Sequence, residues 1–206
     1  MNPIDEIDPA LDAASIVVAA TTQTDLDLAT PCEGWQVREL LAHLIGGIAA
    51  VASSLGGGDG HHDESAAVLG TDHVQAFLAA AANDRSAWSR PDVAGREVVF
   101  GFGALPVPMA AIIHRTELVV HAVDLAISIG RVDLVDQVGC AALLRTMHEL
   151  GGIGAFRVPG MFGQELDTFD DRASHRLMAY VGRRIDPSRV VTAVASRATD
   201  SGPAPM

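Results

Sequence analysis

Lysine is missing from this 206-residue chain, and all 14 of its basic residues are arginine. They face 26 acidic residues, leave a net charge of −12 and form no basic cluster, which excludes a nucleic-acid partner. Aromatics make up only 4%, so stacking platforms are few and the core must be built from Ala, Leu, Val and Ile. Two cysteines, Cys32 and Cys140, are too few for a disulfide framework and read as reduced thiols of a cytoplasmic protein. The N-terminus has Asp5, Glu6 and Asp8 where a secretion signal needs positive charge. Charge is also missing from Leu40 to Gly58, but five glycines and His43 in that stretch favour a buried helix and a glycine loop over a membrane span. With 49% hydrophobic and 19% charged residues, the chain is no disordered polymer.

What is present is helical periodicity. Ile4, Ile7, Leu11 and Ile16 mark a first helix over 4–20, with Pro9 near its start. Thr21 to Gly34 reads as a loop, and a second helix over 36–55 has Val37, Leu40, Leu41, Leu44, Ile48 and Val51 on one face. The glycine-rich stretch 56–65, with His61, His62 and Asp63, reads as a flexible solvated loop. A third helix covers 72–88, and residues 96–108 break the pattern as a hairpin or a closed loop. The clearest helix runs over 108–129, opened by proline and closed at Gly130. A fifth covers 135–150, residues 153–166 are irregular or strand-like, and a last helix covers 170–181. The expected fold is mainly α: a four-helix bundle with C-terminal helical and short-strand additions. One domain is expected over 1–190, with 191–206 a disordered tail.

The fourth main helix places His114, Glu117, His121 and Asp124 at i, i+3, i+7 and i+10, within roughly 80° of one another around its axis. This polar stripe borders apolar Leu118 and Leu125, where a carboxylate needs a partner or a metal. Glu117 and His121 are spaced to share one ion, and His43, in the middle of the second helix, is the natural third ligand. Two imidazoles and a carboxylate leave a position open, as in catalytic rather than structural zinc sites. Asp124 and His114 then stand behind the ligands, holding a histidine in place; His114 also reads as a surface residue. The pattern alone leaves other readings open. Glu-x-x-x-His recurs at Glu39 and His43, and such pairs are common as plain surface neighbours. Cys32, in a turn before a helix, reads as a packed small residue ahead of an activated thiol, and Arg183 and Arg184 as balance for an acidic surface ahead of a site for an anionic substrate. The glycines at 56–58 lack the Lys-Ser/Thr of a phosphate loop, and no serine sits in a nucleophile elbow.

The segment Thr30-Pro-Cys-Glu-Gly-Trp-Gln-Val-Arg-Glu-Leu-Leu-Ala-His43 resembles the signature of actinobacterial mycothiol-dependent maleylpyruvate isomerase-like proteins, within the DinB-like bundle superfamily. Glu117-Leu-Val-Val-His121-Ala-Val-Asp124-Leu-Ala resembles their second signature, with Val123 where that signature has tryptophan. Phe162-Gly163 and the run from Asp171-Arg172 to Gly182-Arg183 resemble the end of the shorter members. The resemblance implies a divalent metal, usually zinc, held by His43, Glu117 and His121. It also implies a small thiol such as mycothiol as cosubstrate, deprotonated by the metal and attacking a small electrophile. The chain is short of the isomerases' full C-terminal domain. The expectation is therefore a zinc-dependent thiol transferase or isomerase of the cytoplasm. A non-catalytic metal- or small-molecule-binding bundle is the alternative, and a purely structural bundle a further one. An iron(II) oxygenase triad fits poorly, because those ligands sit on a β-sandwich. The apolar bundle is suited to homodimerisation, and the lack of lysine fits a GC-rich, actinobacterial source.

Overall fold

In the computed structural model, residues 2–158, 161–183 and 185 are described; the expected domain end at 190, the tail 191–206 and Arg184 lie outside them. Helix α1 (Ile7–Ala20) follows a 3-10 turn (Pro3–Glu6) whose Asn2 side chain accepts the Ile4 N–H. Pro9 is tolerated because first-turn N–H groups have no partner within the helix. The buried face is Ile7, Ala10, Leu11, Ala14, Val17 and Val18, whereas Ile16 is 53% exposed; the phase of the helix puts it off the stripe expected from spacing.

Helix α2 (Val37–Leu55) starts with a capping box in which the Gln36 N–H donates to Glu39 Oε2 at 2.9 Å. Glu39 is thereby engaged by the backbone. In α3 (His73–Trp88) the Asp72 side chain accepts the N–H groups of Val74 and Gln75. The pattern break after it is an antiparallel hairpin of β1 (Glu97–Phe100) and β2 (Gly103–Pro106), with Gly103 at φ +136°. It leads into α4 (Val107–Ser128), which ends in a Schellman motif: Arg131 N–H donates to Ala126 O and Gly130, at φ +68°, to Ile127 O. Helices α5 (Gln137–Glu149) and α6 (Ala173–Tyr180) complete the described elements.

Helices α1 to α4 form a closed ring in which α1 packs on α3 and α4, and α2 packs on α3 and α4. The fold is the expected mainly α bundle, with α5 and α6 packed on each other and on α4. Leu11, Leu40, Leu41, Leu118, Leu125 and Ile127 are fully buried at its centre, each contributing about 1.5–3 kcal/mol of hydrophobic stabilisation. By length and composition α2 is long and apolar enough to cross a membrane, yet 61% of that window is buried within the bundle.

The glycine-rich stretch 56–65 does not behave as a freely solvated loop. It turns at Gly57 and Gly60, both at positive φ, and runs back along α2. A Cβ at Gly46 would collide with the Asp63 carbonyl, so the bare backbone of the helix admits the loop. His61 is exposed, but His62 is half-buried, its Nε2 2.9 Å from the His43 carbonyl.

Candidate metal centre

Two helices of the ring supply the site. The second carries His43 and the fourth carries Glu117 and His121, and their ligand atoms all lie within 4.8 Å of one another. Glu117 Oε2 is 3.0 Å from His121 Nε2 and 3.4 Å from His43 Nε2. Each histidine is held from its other nitrogen. His121 Nδ1–H donates to Asp124 Oδ2 at 3.1 Å, and His43 Nδ1–H donates to Glu64 Oε1 at 2.8 Å. Asp124 is fully buried and balanced by the Cys32 thiol, which donates to Oδ2 at 3.3 Å, and by Arg183 Nε, 3.1 Å from the same oxygen. Trp35 lies over both imidazoles, 4.9 Å from His43 and 6.4 Å from His121 between ring centroids. The preceding turn places it: Gly34 takes φ +79°, and Thr30 N–H donates to the Trp35 carbonyl.

The donor set suits a divalent cation. With both Nδ1 atoms at carboxylates, the Nε2 atoms of both imidazoles converge on the same Glu117 oxygen. That convergence calls for positive charge, a proton at His121 Nε2 or a cation in its place. Burial alone would push the His121 imidazole down, but its bonds to Asp124, Cys32 and Glu117 outweigh burial and raise it well above the ordinary range. Burial likewise favours a neutral Glu117 carboxyl, yet His121 and His43 hold it well below the usual carboxylate range. The observed separations of 3.0 and 3.4 Å bracket the ~3.3 Å expected between two donors on one tetrahedral zinc.

His114, expected behind these ligands, is instead engaged elsewhere. Its Nε2 donates to Asp84 Oδ2 at 2.9 Å, the other Asp84 oxygen accepts Trp88 Nε1–H at 3.1 Å, and the indole stacks on the imidazole. Three contributors to the region lay outside the sequence reading: Glu64, the packing of Trp35 on the imidazoles and the Asp84 partnership. Trp35 stood in a quoted motif and is one of only two tryptophans, a usable signal. Glu64 gave none, because its role depends on the loop folding back 21 residues to His43.

Two hollows meet at the three ligand atoms. On one side is a cleft of about 590 Å³ bordered by Cys32, Glu33, Trp35, Glu64, Thr116 and Arg183. On the other is a cavity of about 220 Å³ walled by Leu44, Ile48, Val51, Phe100, Phe102 and Ile113. Residues 7–126, which contain all three ligand candidates and Asp124, match the mycothiol maleylpyruvate isomerase N-terminal domain family. The chain belongs to that family. No curated protein matches the sequence. A crystal structure of the mycothiol-dependent maleylpyruvate isomerase is similar in fold, with a TM-score of 0.51 and 17% identity, covering 73% of this chain and 71% of that one. A histidine-to-alanine mutant of that enzyme gives 0.50 and 16% over the same shares. At this identity the likeness establishes the fold alone, a helical bundle like that of the isomerase.

Within the family frame, Val123 departs from the second signature at a position remote from the cleft. It is buried and borders a small hollow with Ala10 and Val17 of α1 and Cys140 of α5, apart from the residues that line the cleft. Beyond residue 126 the chain adds its own wall. Gly182, at φ +81°, closes α6 in a second Schellman motif in which Arg183 N–H donates to Met178 O. A Cβ at Gly182 would collide with Gly163, and this close backbone approach directs Arg183 to Asp124. The sequence reading of Arg183 as surface balance gives way to a residue whose side chain is 18% exposed at the rim of the cleft.

Proposed function

We propose that this chain is a divalent-metal-dependent enzyme of the cytoplasm that uses a small thiol, of the mycothiol type, as transferase or isomerase. His43, Glu117 and His121 would hold the metal, with zinc the cation the donor set favours. The observation that carries the reading is the pair of carboxylate-anchored imidazoles whose Nε2 atoms converge on one Glu117 oxygen. When bound, such a cation supplies a positive charge that deprotonates a thiol at neutral pH.

The residues of the chain do the rest. Asp124 and Glu64 fix the tautomers and ring orientations of His121 and His43. Trp35 packs against both rings where they border the cleft. Glu33, Thr116 and Arg183 line a cleft polar enough for a hydroxyl-rich thiol, with Arg183 neutralising Asp124 beneath it. The test is elemental analysis of the purified protein beside thiol turnover on a panel of electrophiles. Close to one zinc per chain, with turnover lost on chelation, is the expected result. Stoichiometric zinc without turnover on any electrophile would instead establish the non-catalytic metal-binding bundle.

A further inference from the structure

A third hollow borders Glu117, between α4, α5 and the residues that follow α5. It holds about 160 Å³, and its walls are hydrocarbon and thioether: Met109, Ile112, Met147, Leu150, Ile153 and Phe156. Its two polar side chains are already engaged. The Thr116 hydroxyl donates to the Ile112 carbonyl at 2.8 Å, and His121 and His43 hold the Glu117 carboxylate. A polar group lodged here would lose water and gain no side-chain partner, whereas each buried methylene strengthens binding by about fourfold. Three of the chain's six methionines line the pocket, Met109, Met147 and Met161, and an unbranched thioether adapts to ligands of different shape. Met109, Met161 and Leu150 are 37%, 39% and 51% exposed, so the pocket reaches solvent through apolar side chains. Thr116, Glu117, Met161 and Phe162 line both this pocket and the polar cleft, which makes the two continuous at a candidate metal ligand. From Met147 onward the wall stands beyond residue 126, where the family match ends.

We infer that this pocket seats a hydrocarbon substituent of the electrophile, while the reactive end lies at the three ligand atoms. The inference rests on the reading of His43, Glu117 and His121 as the reaction centre, and it holds whatever charge the reactive end carries. The volume sets the size of the substituent: it is close to the ~150 Å³ of an engineered cavity that takes up benzene, room for one ring or a chain of about six carbons. The occupant is the electrophile and not the thiol, because a hydroxyl-rich thiol would leave its hydroxyls unpaired among methyl and thioether groups. The methionines then make the substrate range broad, with straight, branched and ring substituents accepted at one reaction centre.

The test titrates straight-chain hydroxamic acids, from acetohydroxamic to octanohydroxamic acid, into the zinc-loaded full chain by calorimetry. The hydroxamate end binds zinc, and the chain probes the pocket. Affinity is expected to rise about threefold or more with each added methylene and to level off near a chain of about six carbons. Benzohydroxamic acid should match the plateau within a few-fold. Leu150→Ser, at an exposed position, should cut the advantage of hexanohydroxamic over acetohydroxamic acid several-fold, at unchanged zinc content and unchanged acetohydroxamic affinity. Phe102→Ser, on the separate cavity beside α2, should leave that advantage intact. Zinc-dependent binding with no effect of chain length overturns the inference and leaves the metal reading standing, as does a chain-length effect that responds to Phe102 and not to Leu150. A protein that takes up no zinc and binds none of the series refutes the metal reading, and the inference with it.

Discussion

Two buried histidines stand two turns apart on one face of α4 and meet opposite fates. His114 pairs with Asp84, whose second oxygen takes the Trp88 indole N–H, so both carboxylate oxygens are used and the cluster is closed. His121 sits between two carboxylates, beside a second imidazole, with more acceptors than protons to satisfy them. The first cluster stabilises the bundle, and the second is built to receive a cation. Burial and a histidine–carboxylate contact are common to both, so neither feature identifies a metal site. The count of donors against acceptors does.

Substitutions on the two sides should therefore separate cleanly. Asp84→Ala leaves the His114 N–H and the Trp88 indole N–H without acceptors in the core, at about 2–5 kcal/mol of stability. Chemical denaturation should register that loss, with zinc per folded molecule unchanged. His121→Ala should act on the metal first. Metal content falls from about one per chain to background, and the metal-free form loses stability too, because Asp124 and Glu117 lose the imidazole between them. Equal zinc in wild type and His121→Ala would remove the basis for setting the two histidines apart.

A finer distinction lies within the cation site. Glu64 reaches His43 from a mobile-looking composition, Gly-Gly-Gly-Asp-Gly-His-His-Asp, yet the loop is pinned on Gly46 and by His62. Glu64→Ala should lower zinc affinity about 10–100-fold, the range for losing an outer partner of a ligating histidine. Glu64→Gln, which keeps an acceptor, should recover part of it. Competition with a chromophoric chelator measures both. No change in either variant would reduce the loop to a cover.

The sequence was informative where the signal is local and quiet where it depends on a return of the chain. Apolar spacing and proline and glycine punctuation revealed the helices, including the α4 stop at Gly130, because these are properties of one turn. Glu117, His121 and Asp124 share a face by arithmetic alone, and His43 was found as a polar residue beside an apolar stripe. Ile16 misled because apolar spacing near a helix end does not fix which face is buried. His114 misled because its partner comes from α3, 30 residues away. Glu64 and Arg183 are loop and helix-end residues whose composition reads as solvated, and only the close approaches at Gly46 and Gly182 bring them to the site.

The two thiols repeat the comparison on a smaller scale. Cys32 borders the cleft and donates to Asp124, whereas Cys140 on α5 is sealed at 1% exposure, where burial, reinforced by nearby Asp136 and opposed by Arg115, pushes its thiol up to about 12. A thiol raised in the folded state keeps its proton there while the unfolded chain loses it from about pH 8.5 upward. Folding stability is then complete below that value and falls as the pH climbs toward the folded-state value of about 12. Cys140→Ala removes this linkage, so its stability relative to wild type should improve by about 2 kcal/mol between pH 8 and pH 10. Paired urea titrations at the two pH values read the difference directly. A constant offset between the two proteins would show that Cys140 titrates alike in the folded and unfolded chain, and that its burial does not govern its proton.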